Sequence, residues 1–151
     1  MQLKKNIFSL LLFGIIGLLS LTVTEAQSEE EKIIAYARNI KVSDLDSTLP
    51  EQPIEEWLTS FVGPKTTILW EVNDCGEQSG IAGDSSSTNP PACAQVTSNL
   101  EDGRTLGIQI LVGTFKEGIK GKPEPLFIYV ENQGKFKSVQ KLQELPSLIR
   151  K

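Results

Sequence analysis

The sequence predicts an α+β fold in which two N-terminal helices pack on one face of an antiparallel meander sheet of about five strands, stapled by one disulfide. Three observations carry that expectation. Apolar residues recur at helical spacing between Ile54 and Val62, and they alternate at period two from Ile68 onward between clear turn signals. The chain has two cysteines, Cys75 and Cys93, and both fall at the ends of predicted strands on the same face.

The first element is a short basic segment, MQLKKN, followed by the apolar run Ile7 to Val23. Thr24 and Ala26 then place small residues ahead of a cut before Gln27, so residues 1–26 read as a secretory signal peptide. An uncleaved anchor is the competing reading, because the run sits at the lower edge of what spans a bilayer. Residues 27–151 form one domain, large enough for a core of its own. Export and a disulfide agree with each other, and both point to a secreted or periplasmic location. The formal net charge of −4 argues against nucleic acid as a partner, and no membrane contact is expected once the signal is removed. Acidic residues predominate before Phe115 and basic ones after it, an asymmetry that suits either a solvated surface or the steering of a charged partner.

Ser28 and Glu31 fit a capping box that opens a first helix over Ile33, Ile34 and Ala37. The stretch NIKVSDLDSTLPEQ reads as a connector. The second helix has the stripe Ile54, Trp57, Leu58, Phe61 and Val62, with Pro53 in its first turn and Gly63-Pro64 as its stop. Trp57 is expected in the core. TTILWEVND is the first strand, and Ile68, Trp70 and Val72 share its apolar face. Cys75 and Cys93 leave the sheet on the other side, with Val72 expected opposite Val96 and Glu71 opposite Thr97. Residues 76–92 then form a mobile, Gly- and Ser-rich loop closed by the bridge, worth roughly 3 kcal/mol in the chain-entropy account.

Glu101-Asp102-Gly103 fits a three-residue turn with Gly103 in the left-handed position. That turn pairs Ser98 with Leu106, Val96 with Ile108 and Ala94 with Ile110, which keeps both apolar sets on one face. KEGIKGKPEP reads as a basic loop and LFIYV as a fourth strand. ENQGK is a turn aligning Glu131 with Lys135, KFKSVQKL is a fifth strand, and Pro146 starts a terminal helical turn.

The chain contains no histidine, which excludes Ser-His-Asp and Cys-His catalysis and His-ligated zinc. With both cysteines bridged, no thiol nucleophile remains. Glu71, Asp74 and Glu77 gather near Cys75, with Asp84 in the loop, and these acids leave open a small carboxylate-based hydrolase or a calcium-binding domain. Their spacing matches no metal-ligand motif, and solvated loop acids suit them better. GTFKEGIKGK lacks the Lys-Ser/Thr pair of a phosphate-binding loop, and no cofactor or metal motif is present. Leu69, Leu111, Phe127 and Tyr129, however, point to the sheet face opposite the core. Either the chain's own ends cover them or they dock another exported protein. The expected function is therefore that of a small, exported, non-enzymatic module that binds a protein or associates with the envelope.

Overall fold

A computed structural model describes residues 27–76 and 89–150. The expected signal peptide at 1–26 and most of the inter-cysteine loop lie outside the described residues. Among the described residues, no helix is long and apolar enough to cross a membrane.

Helix α1, Glu29–Arg38, starts as its sequence requires. The Ser28 hydroxyl accepts a hydrogen bond from the Glu31 amide at 3.2 Å, and three glutamates fill the first turn at the positive end of the helix dipole. Ile33 and Ala37 are its buried face. Helix α3, Ile54–Val62, buries Ile54, Trp57 and Leu58, with Phe61 and Val62 packed at the margin of the core. Pro53 is its N-cap, one position earlier than a first-turn proline, and Gly63 ends it at φ 96°.

Between them the expected connector contains a helical turn of its own, α2, Val42–Leu45. Four residues are too few to show periodicity, and an isolated turn this short is unstable. Tertiary contacts supply what the sequence pattern does not. Val42 is fully buried, the Asp44 carboxylate accepts from the Lys41 amide at 3.1 Å, and the Val42 amide donates to the Gln52 carbonyl at 2.9 Å. Three helical segments therefore precede the sheet, in place of the expected two.

The sheet has the strand order β1-β2-β3-β4-β5, an antiparallel meander of β1 Ile68–Asp74, β2 Pro91–Asn99, β3 Thr105–Thr114, β4 Gly118–Asn132 and β5 Lys135–Val139. Ala94 pairs with Ile110, Val96 with Ile108 and Ser98 with Leu106, in the register set by the Glu101–Gly103 turn. Gly103 takes φ 86°, and the Leu100 amide closes the loop on the Arg104 carbonyl at 2.8 Å.

Four details of the sheet differ from expectation. The β1–β2 register is shifted by two residues, so that Trp70 faces Val96, Val72 faces Ala94 and Glu71 faces Gln95. A two-residue shift preserves the faces, so alternation alone cannot fix it. Asn73 is consequently opposite Cys93, and Cys75, just past the strand, bonds its amide to the Pro91 carbonyl at 3.4 Å. The Cys75–Cys93 disulfide is diagonal, with a Cα–Cα distance of 5.8 Å and an S–S bond of 2.05 Å, and both cysteines are fully buried. Pro91 and Ala92, read as loop, belong to β2.

The segment expected as the basic loop KEGIKGKPEP is mostly strand: β4 begins at Gly118 and turns irregular against β3 where the register shifts. Backbone pairing with β3 holds this polar stretch in place, a long-range effect that its composition does not signal. Finally, the β4–β5 turn has two residues, Gln133 at φ 51° and Gly134 at φ 76°, so Lys135 pairs with Asn132 and Phe136 with Glu131. Two positive φ values suit a hairpin turn that follows the sheet's twist.

One face of the sheet carries the core. Val96, Leu106, Ile108, Ile110, Ile128 and Val130 pack with Ile33, Ala37, Ile54, Trp57 and Leu58 from the helices. The C-terminal segment closes the same side. A 3-10 turn, Leu142–Glu144, leads into α4, Leu145–Ile149, and Leu142 and Leu145 are fully buried in that core. Arg104 clamps α4 from the β2–β3 hairpin: its guanidinium donates to the carbonyls of Leu148 at 3.0 Å and Ile149 at 2.7 Å while pairing with Asp102 at 2.8 Å. At the opposite end, Asp46 ties the α2–α3 connection to the C-terminal segment. Its carboxylate accepts from the Thr48 hydroxyl at 2.6 Å and the Gln143 amide at 3.4 Å.

Candidate functional site

Among the described residues, the helices and the C-terminal segment all engage one face of the sheet, and the other face carries its own side chains. Its central row runs Glu71, Gln95, Gln109 and Phe127 across β1 to β4, and the next row runs Leu69, Thr97, Gly107, Tyr129 and Ser138 across all five strands. These are the odd positions of the first four strands, as the alternation requires.

Tyr129 organises the site. It lies across β3 at Gly107, where an added Cβ would stand 2.3 Å from the ring's Cζ. Only a residue without a side chain permits that crossing. The ring thereby reaches β2, where the Gln95 Nε2 donates to the phenol oxygen at 3.0 Å. Gln95 Oε1 in turn accepts from Asn73 Nδ2 at 2.7 Å, and Asn73 Oδ1 accepts from Gln109 Nε2 at 3.2 Å. A relay of three carboxamides and one phenol thus links β1, β2, β3 and β4 on the outer face. Burial raises the Tyr129 pKa above its ordinary value of 10.0; the Gln95 hydrogen bond pulls it back, and the charges of Glu131 and Glu71 add to the rise.

Two further rings flank Tyr129. Phe127 stacks on it with centroids 4.9 Å apart and planes at 28°, and Phe136 meets it edge-on at 5.4 Å and 62°. Gln95, Gln109 and the three rings line a shallow cavity of about 390 Å³. Gln109 lies at its base, only 3% exposed, and its Oε1 has no hydrogen-bond partner among the described residues. Phe136 is 60% exposed and Phe127 38%.

Of the four residues singled out in the sequence, the structure brings two together, Phe127 and Tyr129. Leu69 lies on the same face and is 48% exposed, but it stands on β1, three strands or about 14 Å from Tyr129. Leu111 is half-buried, paired with Cys93 on one side and Glu124 on the other, and does not line the cavity. Sequence reasoning missed Phe136, Gly107 and the amides Asn73, Gln95 and Gln109. Parity alone already places the amides on this face. Phe136 needed the two-residue turn, because the expected Glu131–Lys135 alignment turns it toward the core.

Of the acids near Cys75, the two that are described, Glu71 and Asp74, do not converge. Glu71 and Asp74 are exposed and have opposite parity on β1, so they leave the strand on different faces. The Asp74 carboxylate accepts from the Gly76 amide at 2.8 Å. Glu77 and Asp84 lie outside the described residues. No family model, curated protein or solved structure matches this chain, and the site is argued from its geometry alone.

Proposed function

We propose that the protein is a small, exported, non-enzymatic binding domain that docks another exported protein on the outer face of its sheet. The observation that carries this reading is the exposure of Phe127, Phe136 and Leu69 on a face that the chain's own C-terminal segment does not cover, since Leu142 and Leu145 are buried on the opposite side. Large apolar groups gathered on one face favour contact with a partner over contact with water. The buried disulfide suits the oxidising compartment that export would reach. Among the described residues, Glu71 and Asp74 leave β1 on different faces, which favours the docking reading over a carboxylate pair at this end of the sheet.

The test uses the exported protein as bait in its own culture fraction, against the double variant Phe127→Ser with Phe136→Ser. The exposed rings contribute mainly through their contacts with Tyr129, so the variant should lose only about 1–2 kcal/mol of stability and remain folded. Partner capture should disappear while the urea midpoint falls modestly. Undiminished capture by the folded double variant would remove the proposal.

A further inference from the structure

We propose that the cavity framed by Phe127, Tyr129 and Phe136 receives the guanidinium group of an arginine side chain carried by that partner protein. The inference rests on the docking reading above and adds the chemistry of its central contact.

Three independent features of the cavity select a flat cation with several N–H donors. The first is its aromatic wall. Aromatic ring faces carry negative potential, and a guanidinium gains both from that potential and from stacking on the ring. The exposed Phe127, stacked on Tyr129, presents such a face beside the edge-on ring of Phe136. The second is Gln109, which lines the cavity and whose enclosed Oε1 has no hydrogen-bond partner among the described residues. A buried carbonyl oxygen without a donor is costly, and Gln109 cannot supply one by rotation, because its Nε2 is already committed to Asn73 at 3.2 Å. An apolar side chain would leave that oxygen unsatisfied, and a carboxylate would repel it. A donor that reached that oxygen would satisfy it.

The third feature is charge. Glu71 stands opposite Gln95 and Glu131 opposite Phe136, and both Gln95 and Phe136 line the cavity. At the paired outward positions of the sheet from Leu69 to Ser138 there is no lysine or arginine beside them. The effect of Glu71 and Glu131 already reaches the Tyr129 phenol. A cation entering the cavity gains from Glu71 and Glu131, whereas a neutral sugar, which could also donate to Gln109, gains nothing from them. Arginine is favoured over lysine because its planar fork can stack on Phe127 while its N–H groups, in the guanidinium's own plane, still donate toward Gln109 and the acid rim. The cavity of about 390 Å³ is at the lower end of small-molecule sites and fits one long side chain.

The experiment follows the side-chain amide signals of Gln95 and Gln109 by two-dimensional NMR on the folded protein. The titrants are N-acetyl-arginine amide, the corresponding citrulline and lysine compounds, and methyl glucoside. Arginine should shift both signals saturably in the millimolar range, and neutral citrulline of nearly the same shape should bind about tenfold more weakly. Glu131→Gln keeps an acceptor for the Gly134 amide and removes the charge, and Gln109→Leu removes the unpaired oxygen; each should weaken arginine several-fold. Citrulline or methyl glucoside binding as tightly as arginine would overturn the proposal, as would the absence of any saturable shift. The two readings fail separately. Loss of arginine selectivity with face-dependent protein capture intact removes this inference alone, while capture that survives Phe127→Ser with Phe136→Ser removes the docking reading beneath it.

Discussion

Replacing Gly107 with alanine should dismantle the outer-face site from beneath. The new Cβ would stand 2.3 Å from Tyr129 Cζ and 2.5 Å from its hydroxyl oxygen, far inside contact distance. Because Gly107 is paired on both sides, with Thr97 of β2 and Tyr129 of β4, the backbone cannot yield, and the ring must swing away toward solvent. That movement breaks the Gln95–Tyr129 hydrogen bond, about 1 kcal/mol, and the contacts with Phe127 and Phe136, about 0.5–1.5 kcal/mol each. Replacing glycine in a strand returns about 0.5–1 kcal/mol of unfolded-state entropy. The net loss is about 1–3 kcal/mol, readable as a lower urea midpoint at unchanged slope. A double-mutant cycle isolates the cause. In a Tyr129→Ala background the added methyl meets no ring, so Gly107→Ala should become neutral or stabilising. If Gly107→Ala is neutral in the native background, or if the two changes add without coupling, Tyr129 does not lie across β3 and the site loses its geometry.

Arg104→Ala should free the last carbonyls of α4 and leave Asp102 without its guanidinium partner, costing about 1–3 kcal/mol; amide exchange at Leu148 and Ile149 should accelerate first, and unchanged exchange there would refute the clamp. Cys75→Ala with Cys93→Ala should lower stability by about 2–4 kcal/mol while the sheet persists, and two free thiols per denatured chain of the native protein would contradict the bridge. The Asp46 carboxyl is held below its ordinary value of 3.8 chiefly by the Thr48 hydroxyl, so its contribution is present above that value and lost as pH falls through the lower folded value. Asp46→Asn should therefore flatten the acid limb of the stability curve, and an identical acid limb would exclude the contact. Burial raises the Tyr129 pKa above 10.0, so its stabilising effect is complete below that pH and fades as pH rises through the folded value. The phenolate absorbance lost in Tyr129→Phe should accordingly titrate above the ordinary range, and titration at or below it would show the ring to be in open water.

The periodic parts of this fold were legible because their signals are local. The stripe of α3, the Ser28 cap and the Glu101–Gly103 turn each depend on a few neighbouring residues, and the turn carried the whole β2–β3 register with it. Where signals are weak, the structure departs from the sequence reading. The turn at Val42–Leu45 exists because Val42 is buried, and the polar residues after Gly118 are a strand because β3 lies alongside them. The β1–β2 register could not be read from faces, which a two-residue shift leaves unchanged.

The same division holds for the site. Alternation by itself determined that Phe127 and Tyr129 point away from the core, and it put Asn73, Gln95 and Gln109 on their side. Two matters were decided only by tertiary structure. One is that the C-terminal leucines pack on the core face, since an apolar segment suits any apolar surface and only the assembled packing selects one. The other is the path of the Tyr129 ring. Its reach over Gly107 to Gln95 depends on three strands being neighbours at once, and no local pattern encodes a contact that exists only after those strands have paired.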